Sequence, residues 1–293
     1  MSFAATTSSS PYSFVTYGNA ARFSFTKSIT IDSKTCDYTA AIKFNAPKAN
    51  LPVVLPLRPE LCNPTPDPFC ENKSCLAGIS ALYSLGSGFY RATGFDHVAL
   101  DYYPCGHPPM QNFATGHFDF HMMRINPGQR ELMGCDLFPG TPACDWPGSP
   151  LPGSGTQSDP SGRKFFVMGR VEGGADSGKL ANMPENFTVE IDSALRGMGL
   201  HAFDHTTARL ADEWADPLLI IGSYDGGISF WEPMFPYTFA NGTTDNFYHA
   251  NATYVQQTIL SLPSYWSMSY SKSTQVTTVT IKGKANGCVP DLF

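Results

Sequence analysis

Glycine and proline constrain this chain more than any other feature of its sequence. Its 293 residues include 26 glycines and 24 prolines, which interrupt the chain at short intervals. Glycine destabilises a helix interior through its backbone entropy, and proline does so through its missing N–H group. Helical bundles and coiled coils are therefore excluded, and a β-rich protein with long turns is expected.

Between these interruptions, apolar and polar residues alternate as they do in half-buried strands. At least eight strands are predicted, in the segments 21–32, 40–46, 97–105, 116–125, 164–171, 186–192, 217–235 and 275–283. The segment 217–235 predicts a hairpin that turns at Asp-Gly-Gly, and 75–88 predicts a short helix ending at glycine. The predicted fold class is mainly β, an antiparallel β-barrel or β-sandwich with few short helices.

The chain is predicted to form one β-rich domain over residues 19–293. Residues 1–18 are small and polar and predict a flexible N-terminal arm. Residues 139–163 are rich in proline, glycine and serine. Because the motifs on both sides of this stretch belong to one candidate site, we interpret it as an insertion and not as a linker between domains.

Charge and hydropathy exclude two classes of partner. The formal net charge is -6 and no basic stripe is present, which argues against nucleic-acid binding. No apolar run approaches the length of a transmembrane helix, so no membrane span is predicted. The N-terminus lacks the charged and apolar regions of a signal peptide.

Cysteines and glycosylation sequons predict a secreted, secretory-pathway or periplasmic protein. There are eight cysteines without a CxxC pair, and the spacings within 62–75 and 135–144 are typical of disulfide-stapled loops. Four N-glycosylation sequons are present, at Asn72, Asn186, Asn241 and Asn251. The alternative is that these sequons occur by chance in a chain rich in serine and threonine.

The densest group of potential metal ligands lies at 106–121 and contains His107, His117, Asp119 and His121. Imidazole is a common ligand of zinc and other divalent metals. In a regular strand the last three share one face, with the Cα atoms of the two histidines roughly 13 Å apart. One ion binds both only if the strand is bulged or strongly curved. Otherwise one histidine ligates, and Asp119 orients a ring through its free N–H.

Further candidates lie downstream of this segment. His201 and His205 flank Asp204 in the sequence HAFDH. Glu232 lies between Trp231 and Pro233, where burying a lone carboxylate is costly. Glu232 is therefore predicted to face a cation, a histidine or a water, with solvent exposure as the alternative. Two histidines are predicted to be surface residues, His97 and His249.

Three separated motifs occur in a recognisable order: GHPP followed by HFDFH at 106–121, MGLHAFD at 198–204 and YDGGISFWEPM at 224–234. This order resembles a family of secreted or periplasmic proteins with the pattern GHxP, HFDFH, MGxHxxD and FxEPM. It is also similar to the delta-class carbonic anhydrases of diatoms and other marine algae. The resemblance covers roughly residues 95–240. It implies four metal ligands, His107, His117, His121 and His201, with supporting roles for Asp119, Asp204 and Glu232.

The implied activity is the zinc-dependent hydration of carbon dioxide to bicarbonate. Three neutral imidazoles leave zinc one open position, where water acquires a pKa of about 7 and yields a metal-bound hydroxide. Glu232 or Asp119 would be the catalytic carboxylate that orients the hydroxide or a ligand ring. Four aromatic residues are expected to form an apolar wall, Phe118, Phe120, Phe230 and Trp231. Cobalt or cadmium can replace zinc in such a site, whereas four histidine ligands would indicate a structural metal.

Two other functions remain open from the sequence. A cupin-like oxygenase or a hydrolase would use two histidines and one carboxylate, either Glu232 or Asp119, with iron in the oxygenase. A non-catalytic secreted glycoprotein would bind a metal, a sugar or another small ligand. The expected partner is a small molecule, carbon dioxide or bicarbonate, and the oligomeric state stays open.

Overall fold

Two antiparallel sheets make up the described part of the protein. The computed structural model describes residues 23–45, 79–103, 106–107, 110–132, 184, 187–189, 198–204, 206–207, 210–224, 227–242, 244–252 and 262–288. The predicted arm at 1–18, the predicted insertion at 139–163 and the predicted strand at 164–171 lie outside these residues.

The described ranges contain twelve strands and four short helices. The strands are β1 (Ser24–Ile31), β2 (Asp37–Asn45), β3 (Ile79–Ser84), β4 (His97–Tyr103), β5 (His117–Met123), β6 (Phe187–Val189), β7 (Leu200–Asp204), β8 (Leu218–Tyr224), β9 (Gly227–Pro236), β10 (Asn246–Asn251), β11 (Tyr265–Ser271) and β12 (Val276–Lys284). The helices are α1 (Gly86–Thr93), α2 (Met110–Phe113), α3 (Pro127–Leu132) and α4 (Tyr237–Ala240). None of these helices has the length and apolar character needed to cross a bilayer.

The two sheets stack as a β-sandwich. One has five strands in the order β1-β2-β12-β11-β10, and the other has seven in the order β3-β4-β5-β9-β8-β7-β6. Between them Phe44 of β2 stacks on Phe120 of β5 at a ring-centroid distance of 5.4 Å. Trp231 of β9 meets Trp266 of β11 edge to face at 5.7 Å. The prediction of a mainly β fold is confirmed, and the sandwich is the form observed.

Both faces of the seven-stranded sheet are buried where β5 crosses it. On the inner face, which packs on the five-stranded sheet, Phe118, Phe120 and Met122 of β5 are completely buried. The outer face carries the alternate residues of β5 and is covered by a second apolar cluster. Its members are Phe113, Met123, Phe203, Trp214, Leu218, Ile220, Phe230 and Met234. Polar residues on the outer face of β5 are therefore enclosed and not exposed to bulk water.

The hairpin prediction is confirmed and the helix prediction is partly wrong. Strands β8 and β9 pair up to Tyr224 opposite Gly227, as the Asp-Gly-Gly turn predicts. Within the predicted helix 75–88, however, Ile79–Ser84 is strand β3 and pairs with β4. Its alternate residues Ala81 and Tyr83 are buried, so packing against the sandwich core selects a strand.

A disulfide joins Cys36, just before β2, to Cys288, just after β12. The expectation that cysteines form disulfides is thus confirmed for this pair, while the loops 62–75 and 135–144 lie outside the described residues. Strands β2 and β12 are neighbours within the five-stranded sheet, so the bond links two adjacent strands that are distant in sequence. Closing a loop this long stabilises a fold by about 5 kcal/mol in the chain-entropy treatment.

Candidate metal centre

Two groups of potential metal ligands lie side by side on the outer face of the seven-stranded sheet. In each group, one ligand atom from every residue lies within 4.8 Å of the other two. The first, called the Asp119 group, consists of His107, His117 and Asp119. The second, called the Glu232 group, consists of His121, His201 and Glu232. The structure thus brings all four predicted histidines and both carboxylates to one face, but divides them into two sets.

The division follows from the geometry of β5. The strand pairs with β4 in one unbroken register, from Tyr103 opposite His117 to His97 opposite Met123. No bulge interrupts this pairing, so the Cα atoms of His117 and His121 are separated by roughly the 13 Å of a regular strand. Of the two alternatives that the sequence left open, the regular strand is the one observed. A single ion therefore cannot bind both histidines.

Strand β9 supplies the carboxylate of the second group. Met234 lies opposite Asp119, and the same register brings Glu232 opposite His121. Between them Pro233 has no N–H to donate to the ladder. The EPM motif therefore places a carboxylate beside the last histidine of HFDFH although more than a hundred residues separate them.

In the Asp119 group, two imidazoles face the two oxygens of one carboxylate. His107 Nε2 lies 3.1 Å from Asp119 Oδ2, and His117 Nε2 lies 3.2 Å from Asp119 Oδ1. His117 also donates from Nδ1 to the carbonyl oxygen of Thr115 at 2.6 Å. His117 and Asp119 are buried, whereas the side chain of His107 is 28% exposed. The group is thus closed on the sheet side and open at His107.

Two buried atoms of this group, His117 Nε2 and Asp119 Oδ1, face each other without a hydrogen bond. Burial lowers the pKa of His117. Burial alone raises the pKa of Asp119, but the attraction of His107 and His117 outweighs it and holds that pKa below its usual value. The Thr115 contact places a proton on Nδ1 of His117, so its Nε2 is the nitrogen that faces Asp119. Neither His117 Nε2 nor Asp119 Oδ1 has a hydrogen-bond partner among the described residues.

A glycine in the left-handed region positions His107. Gly106 has a φ of 75°, and a Cβ at this position would collide with the carbonyl oxygen of Phe113 in α2. The N–H of His107 donates to that same carbonyl at 3.2 Å, and the N–H of Gly106 donates to the carbonyl of Tyr103 at 3.3 Å. The glycine of GHPP is therefore required for the tight turn that directs His107 to the sheet.

In the Glu232 group, one imidazole lies between two carboxylates. His121 Nε2 is 3.4 Å from Glu232 Oε1, and His121 Nδ1 is 3.3 Å from Asp101 Oδ2. Glu232 is 1% exposed. Burial raises its pKa well above the usual value, and the negative charges of Asp119 and Asp101 raise it further. Its Oε2 atom has no hydrogen-bond partner in the described ranges.

Gly222 of β8 has no side chain and leaves room for an aromatic ring beside His201, the third ligand of this group. His201 of β7 lies opposite Gly222 of β8, which in turn lies opposite Phe230 of β9. A Cβ on Gly222 would collide with the ring of Phe230. Because Gly222 has no side chain, the Phe230 ring lies over it, with its centroid 4.8 Å from the His201 ring and 5.1 Å from the His121 ring.

Both groups fit a divalent metal ion. Each has two imidazoles and one carboxylate, a donor set that zinc and iron use in three-ligand sites with an open position. Ligands about 2.0–2.1 Å from a tetrahedral zinc ion lie about 3.3 Å apart. Three nitrogen-to-oxygen distances, between 3.1 and 3.4 Å, are close to this spacing, and in each group the three ligand atoms lie within 4.8 Å of one another. The carbonyl of Thr115 then holds the outer nitrogen of His117, and the carboxylate of Asp101 lies near the outer nitrogen of His121.

The remaining histidine and aspartate predictions have mixed outcomes. His249 is exposed, as predicted. The prediction that His97 is a surface residue is wrong, because His97 is 2% exposed and lies 3.0 Å from Asp96. Asp204 lies outside both groups, and its carboxylate accepts hydrogen bonds from the N–H and hydroxyl of Thr206. His205 lies outside the described residues.

The predicted aromatic wall is largely wrong. Strand alternation places Phe118, Phe120 and Trp231 in the core between the sheets, and only Phe230 lies on the face of the ligands. In their place Trp214 lies beside the Asp119 group, with its ring centroid 5.1 Å from that of His117. Trp214 precedes β8 without a strand pattern of its own, so the sequence contains no signal for this contact.

Asp101 is a site residue to which the sequence analysis assigned no role. The alternation of segment 97–105 puts Val98, Leu100 and Tyr102 on one face. Asp101 must then share the other face, and the structure places it opposite Asp119 and beside His121. The pattern therefore held a usable signal for Asp101.

Searches of protein-family models, of curated proteins and of solved structures found no match to this chain. The similarity to delta-class carbonic anhydrases therefore rests on motif order alone. In three dimensions, the motifs at 106–121, 198–204 and 224–234 meet on one sheet face and supply all six ligand candidates.

Proposed function

We propose that the protein is a metal-dependent enzyme that binds zinc at the Glu232 group and hydrates carbon dioxide to bicarbonate. One observation carries this proposal. Glu232 is a buried carboxylate with an oxygen that lacks a hydrogen-bond partner among the described residues, and two imidazoles lie close to it. Such a group is costly to bury alone and is stabilised by a divalent cation.

The surrounding residues suit hydration of a small apolar molecule. A zinc ion with three protein ligands supplies a hydroxide nucleophile near neutral pH, because it lowers the pKa of bound water to about 7. Asp101 Oδ2 lies 3.3 Å from His121 Nδ1, on the side of the ring opposite to Glu232. Phe230 contacts both imidazoles, and Ile220 lies opposite Glu232. These apolar side chains exclude water beside the ligands and favour carbon dioxide over ionic substrates.

A secreted, secretory-pathway or periplasmic location belongs to the same proposal. The Cys36–Cys288 disulfide supports it, because disulfides persist in oxidising compartments. The sequon at Asn251 also supports it, since this residue is exposed at the end of β10. Expression of the chain with a secretion leader in a eukaryotic host, followed by mass spectrometry for glycans, tests this part. An unmodified Asn251 in the secreted protein would count against it.

The decisive experiment is stopped-flow hydration of carbon dioxide on protein of known metal content. We expect a catalysed rate that is lost on chelation and restored by zinc. His201→Ala should remove both zinc from the Glu232 group and activity, whereas His249→Ala, a change at an exposed histidine on β10, should leave both unchanged. Tightly bound zinc without hydration would reject the proposal and leave a non-catalytic metal-binding protein.

A second candidate function is an iron-dependent oxygenase or a zinc hydrolase. It is favoured by the composition of the Glu232 group, which has two histidines and one carboxylate instead of three histidines. A carboxylate ligand reduces the positive charge that acidifies a metal-bound water. The metal present after purification without added metal separates the candidates, because iron with oxygen consumption indicates the oxygenase. Zinc with ester hydrolysis and no carbon dioxide hydration indicates the hydrolase.

A further inference from the structure

We propose that the Asp119 group binds a second divalent metal ion, so that the protein carries two ions on the outer face of the seven-stranded sheet. The proposed function needs one ion, at the Glu232 group. The second ion is a separate claim that holds whichever reaction the first one serves.

Two buried atoms at the centre of the Asp119 group lack hydrogen-bond partners among the described residues. Because a carbonyl oxygen can only accept, the 2.6 Å contact to Thr115 assigns the proton of His117 to Nδ1. Its Nε2 is therefore the nitrogen that faces Asp119 Oδ1, at 3.2 Å. Both atoms are buried, and neither has a hydrogen-bond partner in the described part of the chain. A cation that both atoms ligate removes this unfavourable arrangement.

The position of His107 also supports a second ion at the Asp119 group. Its ring lies 4.6 Å from the ring of His117, and its Nε2 faces the other oxygen of Asp119 at 3.1 Å. Its side chain is partly exposed, unlike those of the other two ligands. An ion therefore has a route from solvent to the group, and room for a water ligand once three protein ligands are bound.

An ion bound at the Glu232 group cannot also be bound by the ligands of the Asp119 group. Both groups draw on β5, whose pairing with β4 is regular along its whole length. The closest ligands of the two groups along the strand are Asp119 and His121, whose Cα atoms lie about 6.6 Å apart. The Cα atom of His117 lies about another 6.6 Å beyond that of Asp119. Each group also has its own carboxylate, Asp119 in one and Glu232 in the other. Two complete donor sets of this kind call for two ions.

The test is the number of metal ions bound per chain. Protein stripped with a chelator is dialysed against a small excess of zinc, and the bound zinc is measured by mass spectrometry. We expect two ions per chain for the unchanged protein, one for Asp119→Asn and one for Glu232→Gln. The double variant should bind none. His249→Ala, at an exposed histidine on β10, should still bind two.

Circular dichroism of each variant shows whether it is folded. If Asp119→Asn does not fold, His117→Gln takes its place and should also bind one ion. The proposal is overturned if the unchanged protein binds only one ion, or if folded Asp119→Asn still binds two. Its failure differs from failure of the proposed function, since a protein that binds two ions without hydrating carbon dioxide would retain this inference and lose that activity.

Discussion

The two faces of β5 differ in chemistry although every residue of the strand is buried. Phe118, Phe120 and Met122 pack into an aromatic core between the sheets. The alternate residues include a carboxylate and two imidazoles, some of whose atoms lack hydrogen-bond partners in the described residues. Burial on the inner face stabilises the fold through removal of apolar surface from water. Burial on the outer face costs stability until a ligand compensates, and such an uncompensated cost marks a binding site.

The largest expected effect comes from truncating a buried side chain on the inner face of β5. Phe120 is completely buried and stacks on Phe44 of the opposite sheet. Phe120→Ala should lower the free energy of unfolding by about 3–5 kcal/mol, through lost burial and a residual cavity. Urea unfolding measures this change. Bound zinc per folded chain should stay the same, and a fall in zinc content would show that the two faces are not independent.

A pH effect of similar size is expected at the edge of the outer face. Burial, with a smaller contribution from the charge of Arg130, lowers the pKa of His97 to about 4 from the usual 6.5. Below pH 6.5, His97 therefore binds a proton in the unfolded chain, whereas in the folded protein it does so only near pH 4. The stability present above pH 6.5 should be lost as the pH falls towards 4, by about 3 kcal/mol in all.

His97→Gln removes this titration and is the matched comparison. Unfolding of the variant and the unchanged protein at several pH values between 7 and 4 gives the two slopes. Equal slopes would show that His97 titrates normally and that its burial has no energetic consequence.

Adding a side chain at Gly222 of β8 should have a smaller effect on stability and should weaken zinc binding at the Glu232 group. The Cβ of Gly222→Ala would displace the Phe230 ring, which packs on His121 and His201. We expect a loss of about 1–3 kcal/mol and a loss of about 10- to 100-fold in zinc affinity at the Glu232 group. Gly88→Ala is the control, since a Cβ there meets no atom within 4 Å. Unchanged zinc affinity in Gly222→Ala would mean that the Phe230 ring does not position the ligands.

The smallest expected effect has the opposite sign. The pKa of Glu232 is raised in the folded protein, so stability is present at low pH and is lost as the pH rises through that folded pKa. Glu232→Gln removes this loss, and in the presence of a chelator the variant should be more stable than the unchanged protein at pH 8. With zinc, the order should reverse. Thermal unfolding in chelator and in zinc compares the stability of the variant with that of the unchanged protein. A variant that is less stable in chelator would show that the Glu232 carboxylate is stabilised without a metal ion.

The parts of the fold that sequence reasoning predicted are those set by local pattern. Alternation identified β1, β2, β4, β5 and β12, and the Asp-Gly-Gly turn identified the β8–β9 hairpin. The segment Ile79–Ser84 was misjudged because its small residues suit a helix as well as a strand, and only pairing with β4 selects the strand. Strands β10 and β11 were not predicted, although Trp266, Met268 and Tyr270 of β11 alternate with serines in the sequence.

The same distinction applies to the site. Residue type and motif order identified the four histidines as ligand candidates, and Asp119 and Glu232 as supporting carboxylates that would ligate only in the alternative metalloenzyme. The aromatic wall was misassigned because neighbours in sequence were taken as neighbours in space, whereas consecutive strand residues point to opposite faces. Trp214 was missed because it reaches His117 from a connection between two strands.

The sequence by itself determined which side chains of each strand share a face, because a strand has a period of two residues whatever its neighbours are. It therefore placed His117, Asp119 and His121 together. Only the tertiary structure decided which groups they join, since pairing between distant strands depends on packing across the whole sandwich. That pairing set Glu232 beside His121 and the Gly106 turn beside His117, and so divided one row of ligands into two sites.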